Sequence, residues 1–342
     1  MTATFVLPPD AEADRPPEER GLARDEGRLM AVRPGAVEHR RFADLADLLA
    51  PGDLLVVNTS ATLPARVVAR GADGRLVPLH VSTTLDDGSW VVEVRRPDNA
   101  GPDLGVEPGT LLRLPGGVWL HVQEAYPQPR AGSRLWRART DPATSTTAYL
   151  PRHGQPIAYR HLRHDVPLAA LQNVYATAPG SAEMASAGRP VSERLLARLV
   201  ARGVPVVPLT LHTGVSSPEL HEPPYPERFA VPEVTARLVT ATRRAGSRVV
   251  AVGTTVTRAL ETATGDAGGT RAAAGWTSLV LGPERPARAV TGLVTGLHEP
   301  GASHLRLLEA VAGADLVRRA YGAALAGHYL WHEFGDSMLF LP

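Results

Sequence analysis

Apolar positions change their spacing twice along this chain. Up to about Arg66, short apolar runs alternate with a single helical turn. RLMAV (Arg28–Val32) reads as a strand and FADLADLLA as a helical turn. DLLVVN (Asp53–Asn58), launched by a Pro-Gly turn, reads as a buried strand. From Val67 to Thr140 the pattern is strand-like throughout: LVPLHVST, WVVEVRR, TLLRL, VWLHVQEAY and RLWRART are separated by DDG, PDNAG and PGG. No helical period is sustained there, so a small antiparallel barrel or sandwich is predicted, with Trp90, Trp119 and Trp136 filling its core.

Beyond Thr140 strands and helices alternate. VSERLLARLVARG (Val191–Gly203) carries apolar residues at helical spacing and ends on Gly, and PVVPLTLHTG follows as strand and loop. PEVTARLVTATRRAG (Pro232–Gly246) opens with Pro and closes with Gly, as helices do. RVVAVG then reads as a strand, TTVTRALETAT as a helix, WTSLVLGP and GLVTGLH as strands, and LRLLEAVAGADLVRRAYGAALAGHYL as one long helical stretch. Such alternation implies a mostly parallel sheet covered by helices. The expected fold class is α/β: a parallel-rich sheet domain built from residues 1–66 and 141–342, interrupted by an inserted small antiparallel β-barrel at 67–140.

Composition narrows the function classes. The 342 residues are 44% hydrophobic and 21% charged, an ordinary globular balance. Cysteine is absent, which excludes disulfides, thiolate metal sites and cysteine nucleophiles and fits a reducing cytoplasm. All 36 basic residues are Arg, so no lysine nucleophile or Schiff base is available. Against 35 acidic residues they leave a net charge of +1, without the basic excess of a dedicated nucleic-acid binder. No apolar run reaches the length of a membrane span, and the opening residues do not read as a secretory leader. No fixed-period repeat, GxSxG elbow, Walker A or GxGxxG pattern occurs.

Candidate chemistry gathers at predicted strand ends. In RVVAVGTTVTRALE (Arg248–Glu261) a strand ends at Gly253 and two threonines open a helix. Its N–H groups with Thr254 and Thr255 can hold a carboxylate, and Arg258 and Glu261 share a face; a capped helix with a solvated ion pair is the plainer alternative. NTSATLPAR (Asn58–Arg66) is either a crossover loop or a cleft wall in which Arg66 binds an anion. His212 and His298 follow strands and are candidate acid–base groups, alternatives to local hydrogen-bonding roles. Asp336 in FGDSMLFLP either binds a ligand or caps a turn. The spacing of His153, His161 and His164 matches no zinc motif, so no metal is expected.

These segments resemble, in order, the landmarks of the S-adenosylmethionine:tRNA ribosyltransferase-isomerase (QueA) family. FVLPP is similar to its FDYxLPP start, PGDLLVVNTSATLPAR to PGDLLVxNxTRVxPAR, VYATAPGS to tVYA..PGS and LTLHTG to TLHVG. VAVGTTVTRALE resembles VAVGTTxxRALE, GLVTGLHEPGASHLRLLEAVAG resembles lITNFHLPxSTLLMLVxAFaG, and HYLWHEFGDSMLF resembles YRFxSYGDAMLI. The resemblance covers essentially the whole chain and implies an α/β domain with an inserted small β-barrel. It also implies transfer and isomerisation of the ribosyl part of S-adenosylmethionine onto 7-aminomethyl-7-deazaguanine in tRNA. The products are epoxyqueuosine, adenine and methionine. S-adenosylmethionine would be the ribosyl-donor substrate and tRNA the partner, with no metal, no membrane and a cytoplasmic location. Asn58, Arg66, Glu227, Thr254, Thr255, Arg258 and Glu261 would bind substrate, with His298, His212 and Asp336 as catalytic candidates.

The chain also departs from the family pattern. MASAGRPVS, with Arg189-Pro190, stands for PTAGLHF, and Pro224 and Tyr225 replace Met and His of HxMHxE, although Glu227 remains. Ala61 replaces the Arg of NxTR, and Gly296, Leu297 and Gly301 replace Asn, Phe and Lys around His298. Two further readings follow from these changes: a paralogue using S-adenosylmethionine on a small-molecule acceptor, and a non-catalytic protein that binds S-adenosylmethionine or RNA.

Overall fold

Two period-2 patterns, one buried on both faces and one on a single face, build the two sheets of the molecule. The computed structural model describes residues 5–8, 10–128, 133–215 and 224–342. In the larger sheet the order of strands is Ala273–Thr277, Glu227–Val231, Val206–Leu211, Leu54–Asn58, Val249–Val252, Gly292–Gly296, Ser337–Phe340, Arg28–Arg33 and Ala36–Arg41. The four central strands, Val206–Leu211 through Gly292–Gly296, pair in parallel. Leu54–Asn58 and Val249–Val252 are buried at every position because both faces are covered. Leu54, Val56, Val249 and Ala251 face one core, whereas Leu55, Val57, Val250 and Val252 face the other. Helices Glu233–Arg244, Thr254–Thr262, Ser303–Ala312 and Ala314–Ala326 pack into the first core, and Leu45–Leu48 with Glu193–Ala201 into the second.

The sheet is less uniformly parallel than the alternation predicts. Its edge strands Ala273–Thr277 and Ala36–Arg41, and Glu227–Val231 next to the first of them, are antiparallel to their neighbours. The apolar C-terminus, read only as a turn and tail, inserts as strand Ser337–Phe340, antiparallel to Gly292–Gly296 and parallel to Arg28–Arg33. WTSLVLGP forms a strand only as far as Thr277 and then runs as a loop. The long helical stretch divides at Gly313, whose φ of 79° lies in the left-handed region where glycine is unstrained.

The smaller sheet is a closed barrel of six antiparallel strands: Leu135–Asp141, Trp90–Val94, Leu76–Thr84, Arg66–Arg70, Leu111–Arg113 and Trp119–Ala125. The strand Arg66–Arg70 was not among the predicted runs, because its alternating RVVAR pattern is short and follows the crossover directly. Trp90 and Trp136 fill the barrel core with Val92, Leu120 and Leu79. Trp119 does not: it begins a strand whose burial alternates, and it lies 43% exposed on the outer face. Among the described residues no helix is long and apolar enough to cross a membrane.

Candidate functional site

A cavity of about 590 Å³ opens where the central parallel strands end. The loops that follow Val206–Leu211, Val249–Val252 and Gly292–Gly296 supply Thr213–Val215, Gly253–Thr255 and Leu297–Glu299 to its wall. Ligands of open α/β sheets bind outside the carboxyl ends of the strands, because there the helix N-termini converge and no side chain of the next layer fills the space. Ser82 and Thr83 of a barrel strand close the other side, and Ser82 Oγ accepts from the Val215 amide at 3.0 Å, tying barrel to loop.

The sharp exit from strand to helix is set by Gly253, at φ 96°, which N-caps helix Thr254–Thr262. An added Cβ would also lie 3.2 Å from Ala187. Neither Thr254 nor Thr255 caps the helix; both line the cavity beside its free N-terminal amides. Arg258 and Glu261 do not pair with each other, so the plainer alternative of a surface ion pair does not hold, and they do not share a ligand-facing side either. The buried Arg258 guanidinium contacts the Glu227 carboxylate and donates to the carbonyls of Leu279 at 3.1 Å and Thr277 at 3.3 Å. Glu261 turns the other way and accepts from the backbone amides of Arg288, Ala289 and Val290 at 2.9, 2.9 and 3.0 Å, which ties down a chain reversal. Arg258 and Glu227 line the cavity, and Glu261 is not in its wall. Burial pushes the Glu227 carboxyl up, and Arg258 beside it holds that rise back.

His298 lines the cavity floor. Its Nε2 sits 3.0 Å from Thr295 Oγ1, its amide donates to Tyr321 Oη at 3.0 Å, and its ring stacks on His304 at 4.5 Å with a 6° tilt. Burial, reinforced by His304 and His332, drives its pKa well below the ordinary histidine value, so the ring is neutral at physiological pH. His304, also in the wall, is pushed down to about 4 by burial and by Arg258.

The other candidates lie outside the cavity wall. His212 Nδ1 meets Ser60 Oγ at 2.7 Å, and Ser60 meets Ser181 at 2.6 Å, forming a strut between crossover loops. Asn58 spans the same region, donating to the Leu211 carbonyl at 2.8 Å and accepting from its amide at 2.9 Å; its Nδ2 also reaches Thr255 Oγ1 at 3.3 Å. Arg66 contacts Asp165 and Gln155. Asp336 accepts from the Arg28 amide and guanidinium and from the Leu330 amide, which anchors the last strand. Arg189, in the segment that departs from PTAGLHF, is buried over Phe334 and also outside the wall. His221–Pro223, the start of HEPPYPE, lie outside the described residues.

Sequence reasoning missed Glu183, His304, His332 and Glu333, all of which reach the cavity. His304 had a local signal, since it falls shortly beyond His298 in the same matched segment. His332 and Glu333 lie in the matched segment HYLWHEFGDSMLF, at positions where its pattern carries no acid–base group, and Glu183 follows VYATAPGS just beyond the matched residues.

Known proteins are similar to this chain over its whole length. Residues 2–340 match the family described as queuosine biosynthesis protein. An S-adenosylmethionine:tRNA ribosyltransferase-isomerase of Thermus thermophilus is 35% identical over 357 residues, which covers 98% of each chain. That of Symbiobacterium thermophilum is 36% identical over 350 residues, again 98% of each. A crystal structure of an S-adenosylmethionine tRNA ribosyltransferase from Thermotoga maritima aligns with a TM-score of 0.54 at 29% identity, over 99% of both chains.

Proposed function

The chain belongs to the queuosine biosynthesis protein family, and we propose that it acts as a ribosyltransferase-isomerase with S-adenosylmethionine as ribosyl donor. The acceptor is 7-aminomethyl-7-deazaguanine in tRNA, and the products are epoxyqueuosine, adenine and methionine. One observation carries this reading. Two of the matched segments, VAVGTT and GLVTGLH, and the one residue retained from HxMHxE are apart in sequence but contribute Thr254, Thr255, His298 and Glu227 to one cavity. Its volume suits a ligand of nucleoside size.

The sulfonium of the donor acidifies the adjacent ribose methylene, so the first step needs a base that is free of its proton. His298 is neutral because burial disfavours its cation, and Thr295 fixes the ring. As base it takes the methylene proton; the ring rearranges, adenine leaves, and the acceptor amine attacks as methionine departs. The N-terminal amides of helix Thr254–Thr262, with the two threonine hydroxyls, suit the methionine carboxylate. Arg258 pairs with Glu227 in the wall, where its carboxyl group suits a ribose hydroxyl or the donor cation. No step calls on a metal, and a cytoplasmic location accompanies the reading.

Adenine release from S-adenosylmethionine, measured with tRNA carrying the modified base, tests it. The wild type is expected to release adenine, and His298→Ala to lose about 10²–10⁴-fold in rate while still binding S-adenosylmethionine in a calorimeter. Unchanged turnover in His298→Ala removes the base assignment, and no adenine from wild type with tRNA removes the tRNA reaction.

A second reading has its own support. Ala61 and Gly301 stand where the resembled motifs carry basic residues, while Glu183, Glu299 and Glu333 line the cavity. An acidic wall is poorly suited to RNA phosphates and well suited to a small cationic amine. Adenine release with the free aminomethyl base but not with tRNA would select it. Binding of S-adenosylmethionine without adenine release under either acceptor would select a non-catalytic binder.

A further inference from the structure

At the edge of the cavity the loop around His161 meets the loop before the last strand. His161 and His332 stack with ring centroids 4.6 Å apart and a 14° tilt. Glu333 Oε2 lies 3.1 Å from His161 Nε2. Both atoms are shut off from solvent, yet their alignment makes no hydrogen bond, and neither has any other partner among the described residues. The His161 side chain is only 9% exposed. One ligand atom from each of His161, His332 and Glu333 lies within 4.8 Å of the other two. His332 is held at a φ of 70°, a conformation that a non-glycine residue adopts only where its surroundings impose it. Its Nε2 also meets Glu12 Oε1 at 3.0 Å.

We propose that His161, His332 and Glu333 form a binding site for a divalent transition-metal ion of the zinc type, with Glu12 as the carboxylate that orients the His332 ring. Two imidazoles and one carboxylate are the donors such ions select, and a cation between them supplies the partner that the two buried atoms lack. The local spacing of His161 with His153 and His164 matches no metal motif because the other two donors come from more than 150 residues away. Glu333 stands where the resembled motif YRFxSYGDAMLI carries Ser, so the donor set is a feature of this chain rather than of the resembled pattern. The inference goes beyond the transfer reaction proposed above and does not depend on it.

The test is calorimetric titration of zinc chloride into full-length protein that has been stripped with a chelator and dialysed. One saturable site is expected in the wild type, weakened about tenfold or more in His161→Ala and in Glu333→Ser, with circular dichroism confirming that each variant is folded. Should His161→Ala fail to fold, Glu333→Ser decides, because it installs the residue of the resembled motif at a position about one quarter exposed. Absence of a saturable site in the wild type, or variants that bind zinc as the wild type does, overturns the assignment. Adenine release is not part of the readout, so a failed transfer reaction leaves this test intact.

Discussion

Replacing Arg258 by Met removes the cation paired with the buried Glu227 carboxyl group. Arg258 contacts Glu227 through Nη1 and donates to three backbone carbonyls, those of Leu279, Thr277 and Tyr225. Methionine fills much of the same volume, so the loss is one of pairing rather than of packing. Among the described residues Glu227 would keep the Gly214 amide at 3.3 Å as donor, and a buried carboxylate left that way costs about 3–5 kcal/mol. The Leu279 and Thr277 carbonyls, both buried, would lose the same donor, which adds to the loss. Urea unfolding followed by circular dichroism at pH 7.5 should show this loss. The double variant Arg258→Met/Glu227→Gln should recover about 1–3 kcal/mol of it, because the unpaired charge is gone. The sign of the pH dependence follows from Glu227. Its folded pKa lies above the unfolded value, so its protonated form favours the fold below about pH 4 and that contribution is lost as pH rises. The single variant should therefore approach wild-type stability on acidification. A loss below about 1 kcal/mol, or a double variant no more stable than the single one, would refute the buried-pair reasoning.

Acid sensitivity should also reveal the imidazole pair. The folded pKa of His304 is depressed to about 4, so its neutral form stabilises the fold above the ordinary value near 6.5, and that stability is lost as pH falls from there towards 4. Thermal scans between pH 7 and 4.5 should show a smaller acid loss in His304→Leu than in the wild type; equal losses would sink the idea. Glu261→Gln turns one of the two oxygens that together accept three backbone amides into a donor, and should cost about 2–4 kcal/mol in urea unfolding while leaving S-adenosylmethionine affinity unaltered. Asp336→Asn should cost about 1–3 kcal/mol, because the Arg28 partner is partly exposed, again without change in ligand affinity. A large affinity loss in either variant would return that residue to the binding machinery.

Periodicity located the central strands because their both-face burial demands unbroken apolar runs, as in Leu54–Asn58 and Val249–Val252. It located the barrel because five of its six strands are bounded by strong turn formers. Short or edge strands such as Ala36–Arg41, mostly exposed and charged, carried no such signal, since partners rather than side chains hold them in place. At the site, Thr254, Thr255, Arg258, Glu227 and His298 were legible as polar residues at strand ends or in matched motifs, and they do share one cavity. Asn58, Arg66, His212, Glu261 and Asp336 carried the same kind of local signal. Polar residues at strand ends also tie loops together, and nothing in the sequence separates a strut from a ligand contact.

By itself, then, the sequence determined an α/β chain with a β-rich middle section, the places where strands hand over to helices, and the likeness to a family. Each is a local property, set by side-chain spacing, turn residues and helix punctuation. Tertiary structure decided the partners. It gave Arg258 to Glu227 rather than to Glu261, laid His304 flat against His298, and brought His161 to His332 and Glu333 across more than 150 residues. Those pairings depend on which strand ends the sheet order places side by side, and that order is fixed by the joint burial of two cores rather than by any one segment.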